Sequence, residues 1–365
     1  MRTYVRSLSV VRTSTRTVPL RWRIAEEEEE GRLFGDDEVV ERHVGRGEFR
    51  RMEFLHVNAR SILNRVPEAS RVPFRWTINA YRGCSHACTY CFARPTHEYL
   101  GLGIGEDFER RIVVKVNAVE RLRHELSSSR WLGEHVAMGT NTDPYQPAEG
   151  KYHLTRGVIE VLGERENPFS ILTKSTLVLR DLAVLAQAAR RTDVRVNLSV
   201  GTLDRGVWKM SEPGTPPPER RLEAVRRLNE AGIPCGVLVA PVLPGLSDAP
   251  GQLEQIGAAA AEAGAVSVTP IALHLRRGVR DHYLAWLSSV RPDLVPLYEG
   301  RFRRAYQPED EQRRIAETVH RAFRRAGGSA AAHGDTSWRQ DAAWRADESS
   351  TRESPPGAEQ LRFSC

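Results

Sequence analysis

The sequence predicts an α/β chain in which short, buried, parallel strands alternate with amphipathic helices. Six apolar runs rich in Val and Ile recur between residues 76 and 269, and the stretches between them carry apolar residues at helical spacing. Polar, turn-rich text follows the end of every strand, so a sheet that closes toward a barrel would gather all of these loops at one mouth.

The first strand is read at residues 76–80 and runs into the cysteine-bearing stretch 81–91. Val119, Leu122 and Leu126 mark a helix before the second strand, 135–139, which is followed by Thr140-Asn-Thr-Asp-Pro-Tyr-Gln-Pro147. The third strand, 169–173, ends at Lys174 and Ser175; Leu182, Leu185 and Ala189 then lead to the fourth, 194–200. A helix on Leu222, Val225 and Leu228 stops at Gly232 before the fifth strand, 235–240. Another, on Leu253, Ile256, Ala260 and Ala263, stops at Gly264 before the sixth, 265–269. Each glycine suits the left-handed position that ends a helix. Parallel strands joined this way need right-handed crossovers, and the sheet either closes toward a barrel or opens as a doubly wound fold. A doubly wound dinucleotide site would place Gly-x-Gly-x-x-Gly after the first strand. Gly101-Leu-Gly-Ile-Gly105 has the wrong spacing and no strand before it, and reads as a loop.

The ends differ from this middle. Residues 1–69 read as an irregular, partly disordered N-terminal extension with a basic leader (1–23) and an acidic run (26–30). Residues 70–290 form the repeating unit. Residues 291–327 form a C-terminal helical segment whose apolar face is Ile315, Val319 and Phe323, and 328–365 read as a disordered tail. With 40% hydrophobic residues in 365, the chain has material for a substantial core. No apolar run is long enough to span a membrane and no secretory leader is visible, so a reduced, cytoplasmic protein is expected. Only four of the 53 basic residues are lysine, so the net charge of +6 is an arginine charge. It suits an anionic partner but is too dilute to identify one.

Three of the five cysteines fall within eight residues, in Tyr81-Arg-Gly-Cys84-Ser-His-Ala-Cys88-Thr-Tyr-Cys91-Phe-Ala-Arg94. A structural zinc site takes four protein ligands, usually from two paired knuckles, and no second Cys or His pair follows. An iron-sulfur cube fits better, because three thiolates hold three irons and leave the fourth open. Cys235 and Cys365 match no pairing pattern; Cys235 opens the fifth strand, away from the mouth, and reads as a core thiol.

Cys-x3-Cys-x2-Cys with an aromatic before the last cysteine resembles the signature of the radical S-adenosylmethionine (SAM) superfamily. Six β/α units with this motif after the first strand resemble that superfamily's partial (β/α)6 barrel. Asn79-Ala-Tyr-Arg-Gly-Cys-Ser-His-Ala-Cys, Thr142-Asp-Pro-Tyr-Gln-Pro, Leu172-Thr-Lys-Ser and Ala240-Pro-Val-Leu-Pro-Gly-Leu are similar to the branch that includes spore photoproduct lyase and its uncharacterised relatives.

The resemblance implies a lyase-like enzyme with a 4Fe-4S cluster on Cys84, Cys88 and Cys91. An electron from a donor such as ferredoxin or flavodoxin would let it cleave S-adenosyl-L-methionine to a 5′-deoxyadenosyl radical, which takes hydrogen from an unknown substrate. It also implies that Tyr90 lies against the adenine, chiefly through its backbone. Lys174 and Ser199, polar residues at the ends of the third and fourth strands, match the cation or hydroxyl that the methionine carboxylate needs. Thr140, Asn141 and Asp143 stand where superfamily members often carry a Gly-Gly-Glu-like turn, and are candidate acceptors for the methionine ammonium. An Asx turn before Pro144 accounts for the same residues.

One departure bears on the reaction: spore photoproduct lyase has a relay cysteine after the second strand, where this chain has Thr140, Asn141 and Thr142. Nucleic acid is a candidate partner through Arg276, Arg277, Arg280 and the arginines of 301–325, although an amphipathic helix explains many of these as its solvated side. An alternative reading is therefore a nucleic-acid-binding or DNA-lesion-repair lyase-like protein whose cluster is structural or redox-sensing. The convergence of loops at one mouth favours the enzyme.

Overall fold

The structure, a computed structural model, describes residues 41–67, 70 and 72–329. The basic leader, the acidic run, nearly all of the expected tail and Cys365 lie outside the described residues. In chain order the strands are β1 (Glu41–Val44), β2 (Glu53–Val57), β3 (Leu63–Arg65), β4 (Trp76–Ile78), β5 (Tyr81–Arg82), β6 (Arg111–Lys115), β7 (Val136–Met138), β8 (Phe169–Thr173), β9 (Val194–Ser199), β10 (Cys235–Val242) and β11 (Val268–Ala272). The helices are α1 (Glu106–Arg110), α2 (Ala118–Leu126), α3 (Glu149–Tyr152), α4 (Leu154–Glu164), α5 (Leu182–Ala189), α6 (Arg205–Ser211), α7 (Pro218–Glu230), α8 (Pro250–Glu262), α9 (Val279–Val290), α10 (Val295–Arg301) and α11 (Glu309–Arg325).

A seven-stranded sheet runs β11-β10-β9-β8-β7-β4-β3, in which the six strands β4, β7, β8, β9, β10 and β11 are parallel and lie side by side in chain order. A doubly wound sheet reverses its strand order at a switch point; this one does not, so each crossover advances one strand in the same direction. Among the described residues β4 and β11 do not pair, and β3 caps β4 antiparallel, which leaves the barrel partial. β8 shows the strand logic: Phe169, Ile171 and Thr173 are buried at alternate positions. On the outside, α4 buries Val158, Ile159, Val161 and Leu162, and α7 buries Ala224, Val225 and Leu228. Gly232 and Gly264 close their helices at φ +76 and +70.

The sixth parallel strand begins three residues later than the apolar run at 265–269. The closure of α8 is the reason: the Ala265 amide donates back to Ala260 O, and pairing with β10 as a ladder starts only at Val237 opposite Val268. A second sheet, β1-β2-β6-β5, was not read from the sequence: β1 is mostly exposed, and β6 begins directly after the short charged helix α1. At the C-terminus Ile315, Val319 and Phe323 are buried as the stripe of α11 against α8, each worth about 1.5–3 kcal/mol of transfer free energy. This leaves Arg313, Arg321, Arg324 and Arg325 on other faces of α11, while Arg301 and Arg314 are engaged with Asp248 and Glu311.

Candidate active site

The cysteine loop leaves β5 through Gly83, whose φ is +77. A Cβ there would meet Phe108 O at 2.8 Å and the His97 ring at 2.9 Å, so the chain turns here because it has no side chain. Arg94, fully buried, braces the loop from inside: Nε and Nη2 donate to Cys88 O at 3.1 and 2.9 Å, Nη1 to Ile104 O at 2.9 Å, and Nη2 to Glu109 at 2.6 Å. Thr142 and Gln146 donate to Gly83 O at 2.6 and 3.0 Å, tying the loop after β7 to the same turn. On the far side the Gly214 amide donates to His86 O, and a Cβ on Gly214 would lie 2.3 Å from Ser85 O. The thiols are thus set on a backbone held by three other segments.

Cys84 and Cys88 are buried and Cys91 half-buried, all as free thiols. Burial pushes all three up, Cys88 to about 12, so thiolates here call for positive charge close by. Among the described residues only Glu41, His43 and His56 bring three ligand atoms within 4.8 Å of one another; the three thiols are spaced more widely than one ion requires. An all-sulfur set at that spacing fits a cube with a separate iron for each thiolate.

Beneath the loop lies a buried polar network. Lys174 Nζ donates to Ser199 Oγ at 2.5 Å and to Ala240 O at 3.2 Å, and lies 5.7 Å above the Tyr90 ring. Glu212, from the loop between α6 and α7, accepts the Tyr90 hydroxyl and an Arg221 N–H and pairs with Lys174 at 3.5 Å. Arg221 also donates to Ser199 O at 2.9 Å. Burial alone would raise the Glu212 carboxyl, but the Lys174 and Arg221 charges, with the Tyr90 and Arg221 hydrogen bonds, hold it at about 2.

Lys174 and Ser199, expected at the ends of neighbouring strands, therefore meet, and Tyr90 of the cysteine motif lies beside them. Asp143 is engaged from every side: Oδ1 accepts from the Thr173 hydroxyl (2.6 Å) and the Tyr145 amide (2.9 Å), Oδ2 from the Lys174 amide (2.7 Å), and His86 Nδ1 lies 3.2 Å from Oδ2. Burial opposes its charge, yet His86 and these donors hold its carboxyl below the usual range. Thr140 exchanges hydrogen bonds with the Asn79 amide, and Asn79 Oδ1 also accepts the Asn141 N–H at 3.1 Å. Sequence reasoning missed Glu212, Arg221, Arg94, Asn79 and His86. The last three lie inside stretches already singled out, but Glu212 and Arg221 sit in proline-rich text and a helix with no motif to flag them.

The family model of the Radical SAM superfamily matches residues 78–253. An uncharacterized protein of Mycobacterium tuberculosis is 46% identical over 279 residues, covering 76% of this chain and 82% of the relative. The chain belongs to the radical SAM superfamily. The solved structure of a spore photoproduct lyase mutant is similar at TM-score 0.56 and 18% identity, over 74% of this chain and 79% of that one. A second mutant of that lyase, with bound AdoMet and dinucleoside spore photoproduct, gives TM-score 0.52 at 19% identity, over 70% and 75%. At these identities the likeness establishes the fold, a partial α/β barrel. As a radical SAM enzyme the chain uses a 4Fe-4S cluster to cleave SAM reductively and form a 5′-deoxyadenosyl radical for hydrogen abstraction, and it needs a reductant. Among the described residues no helix is long and apolar enough to cross a membrane.

Proposed function

We propose that Cys84, Cys88 and Cys91 carry the cluster, that Lys174 and Ser199 receive the methionine carboxylate of SAM, and that the enzyme acts in lyase-like fashion without a thiol relay. The observation that carries this reading is the contact between Lys174 and Ser199 at adjacent strand ends, beside Tyr90 and beneath the cysteine loop. Glu212 and Ser199 fix the Lys174 ammonium, so its charge is aimed before ligand arrives and little reorganisation is needed on binding. Tyr90, anchored through its hydroxyl on Glu212, holds its backbone beside Cys91 for the adenine. Asp143 fixes the loop after β7 against β8, which orients Thr140 and Asn141 toward the methionine ammonium. Burial of Tyr90, Ser199 and Glu212 keeps water from this floor.

Four free cysteines among the described residues support a reducing, cytoplasmic setting, and Phe92, exposed next to Cys91, supplies a face where a donor such as ferredoxin or flavodoxin reaches the cluster. The test is SAM binding to anaerobically reconstituted protein together with 5′-deoxyadenosine formation on dithionite reduction. Cluster-loaded protein that neither binds nor cleaves SAM overturns the reading.

A second reading, that the substrate is nucleic acid, draws on three rings near the mouth. Phe92 and His274 lie 5.9 Å apart, and His274 stacks on Tyr306 at 5.5 Å, whose hydroxyl accepts from Arg276. Rings beside arginines suit stacked bases and phosphates. Binding of single-stranded oligonucleotide that falls steeply with salt supports it, and no binding at low salt removes it.

A further inference from the structure

Away from this site, the four-residue strand β1 pairs among the described residues only with β2 and is mostly exposed. Glu41 stands opposite His56 in the antiparallel register and His43 lies two residues along, so all three side chains share one face. Glu41 Oε2 is 2.9 Å from His43 Nε2 and 3.8 Å from His56 Nδ1, and the two imidazole centroids are 4.2 Å apart. His43 Nε2 is buried and has no hydrogen-bond partner, although Oε2 is so near. The two atoms stand side by side rather than head-on, as donors do when they share a third atom.

Donors bound to one zinc at about 2.0–2.2 Å in a tetrahedron stand roughly 3.4 Å apart, and the two contacts bracket that spacing. The other nitrogen of His56, Nε2, is 2.8 Å from the Tyr152 hydroxyl at the end of α3, which leaves Nδ1 facing Glu41. Ligating imidazoles are supported in this way through their second nitrogen. The Phe54 and Tyr152 rings wall the site. The Lys151 ammonium lies on the Phe54 and Tyr152 rings at 5.3 and 5.1 Å and adds one positive charge nearby, which the Glu41 carboxylate offsets.

We propose that Glu41, His43 and His56 bind one divalent transition-metal ion, zinc by their ligand chemistry, with water in the fourth position, and that the ion clamps β1 to the sheet. The clamp supplies what this short strand lacks in buried surface.

Thiols also take zinc, so the full-length protein is tested in two forms, with its cluster reconstituted anaerobically and as the Cys84→Ser/Cys88→Ser/Cys91→Ser variant. Each is titrated with Co²⁺ and then Zn²⁺, reading the cobalt spectrum, metal per chain after desalting and the unfolding temperature. The expected result in both is one equivalent, a nitrogen–oxygen cobalt spectrum without thiolate charge transfer, displacement by zinc and a raised unfolding temperature. His43→Ala and His56→Ala should each weaken binding by at least about tenfold, and Tyr152→Phe by about tenfold. His43 is partly exposed, so loss of metal in His43→Ala with an unchanged apo unfolding temperature is not misfolding. Failure to retain one equivalent, or affinity unchanged in both histidine variants, overturns the proposal.

Discussion

Lys174 Nζ lies 2.5 Å from Ser199 Oγ, the two residues standing at the carboxyl ends of neighbouring parallel strands, β8 and β9. The pair puts a cation and a hydroxyl side by side, with the buried Glu212 carboxylate 3.5 Å from the cation. A charge-assisted hydrogen bond to a carboxylate contributes about 1.5–3 kcal/mol. Lys174→Ala is therefore expected to weaken SAM binding by about 10–100-fold while cluster iron and sulfide stay the same, and Ser199→Ala should weaken it less. Calorimetric titration of reconstituted protein checks both; unchanged affinity in Lys174→Ala returns that lysine to a purely structural part.

The cysteine loop makes a second expectation. Alanine at Cys84, Cys88 or Cys91 should each abolish the cluster, read as iron and sulfide per chain and as the visible absorption of reconstituted protein. Cys235, fully buried at the start of β10, should behave differently: Cys235→Ala keeps the cluster and costs roughly 1–2 kcal/mol in stability for the lost core volume. Cys365→Ala should also keep it. A full cluster in Cys88→Ala protein contradicts the assignment.

Glu212 links acid stability to the site floor. Its carboxyl is held at about 2 in the folded chain against an ordinary 4.5. A depressed folded value stabilises the fold above the unfolded value, by about 3 kcal/mol here, and that stability is lost as pH falls from about 4.5 through 2. Glu212→Gln should flatten this limb in urea titrations of cluster-free protein. Glu212→Ala should cost more, about 3–5 kcal/mol at neutral pH, because Arg221 is left buried without its charge partner. Parallel acid limbs in wild type and Glu212→Gln would show that other carboxyls dominate.

The loop after β7 offers no S–H. Thr140 is paired with Asn79 and Thr142 donates to Gly83 O, and neither hydroxyl substitutes for a thiol, because an O–H bond is too strong to give up its hydrogen atom as an S–H does. Lesion-bearing oligonucleotide incubated with reconstituted protein and SAM is expected to return no intact thymines by a cysteine-relayed route. Efficient repair would point to another hydrogen donor, with Tyr145, buried within this loop, as the first residue to replace by Phe.

Local spacing was enough for much of the molecule. The strand–helix alternation, the ends of α7 and α8 at Gly232 and Gly264, the stripe on α11 and the eight-residue cysteine motif are all written within a few turns of chain, where periodicity and glycine sterics act. The sequence also set Lys174 and Ser199 at strand ends, though not their contact. Tertiary structure alone brought Glu212 and Arg221 under Tyr90, folded Arg94 back onto Cys88 O, and placed His43 beside His56 across β1 and β2. These partners are polar, carry no period and come from segments whose approach is set by sheet pairing and loop course. Their meeting is decided by burial, which obliges each enclosed charge and hydrogen-bonding group to find a partner wherever in the chain it lies.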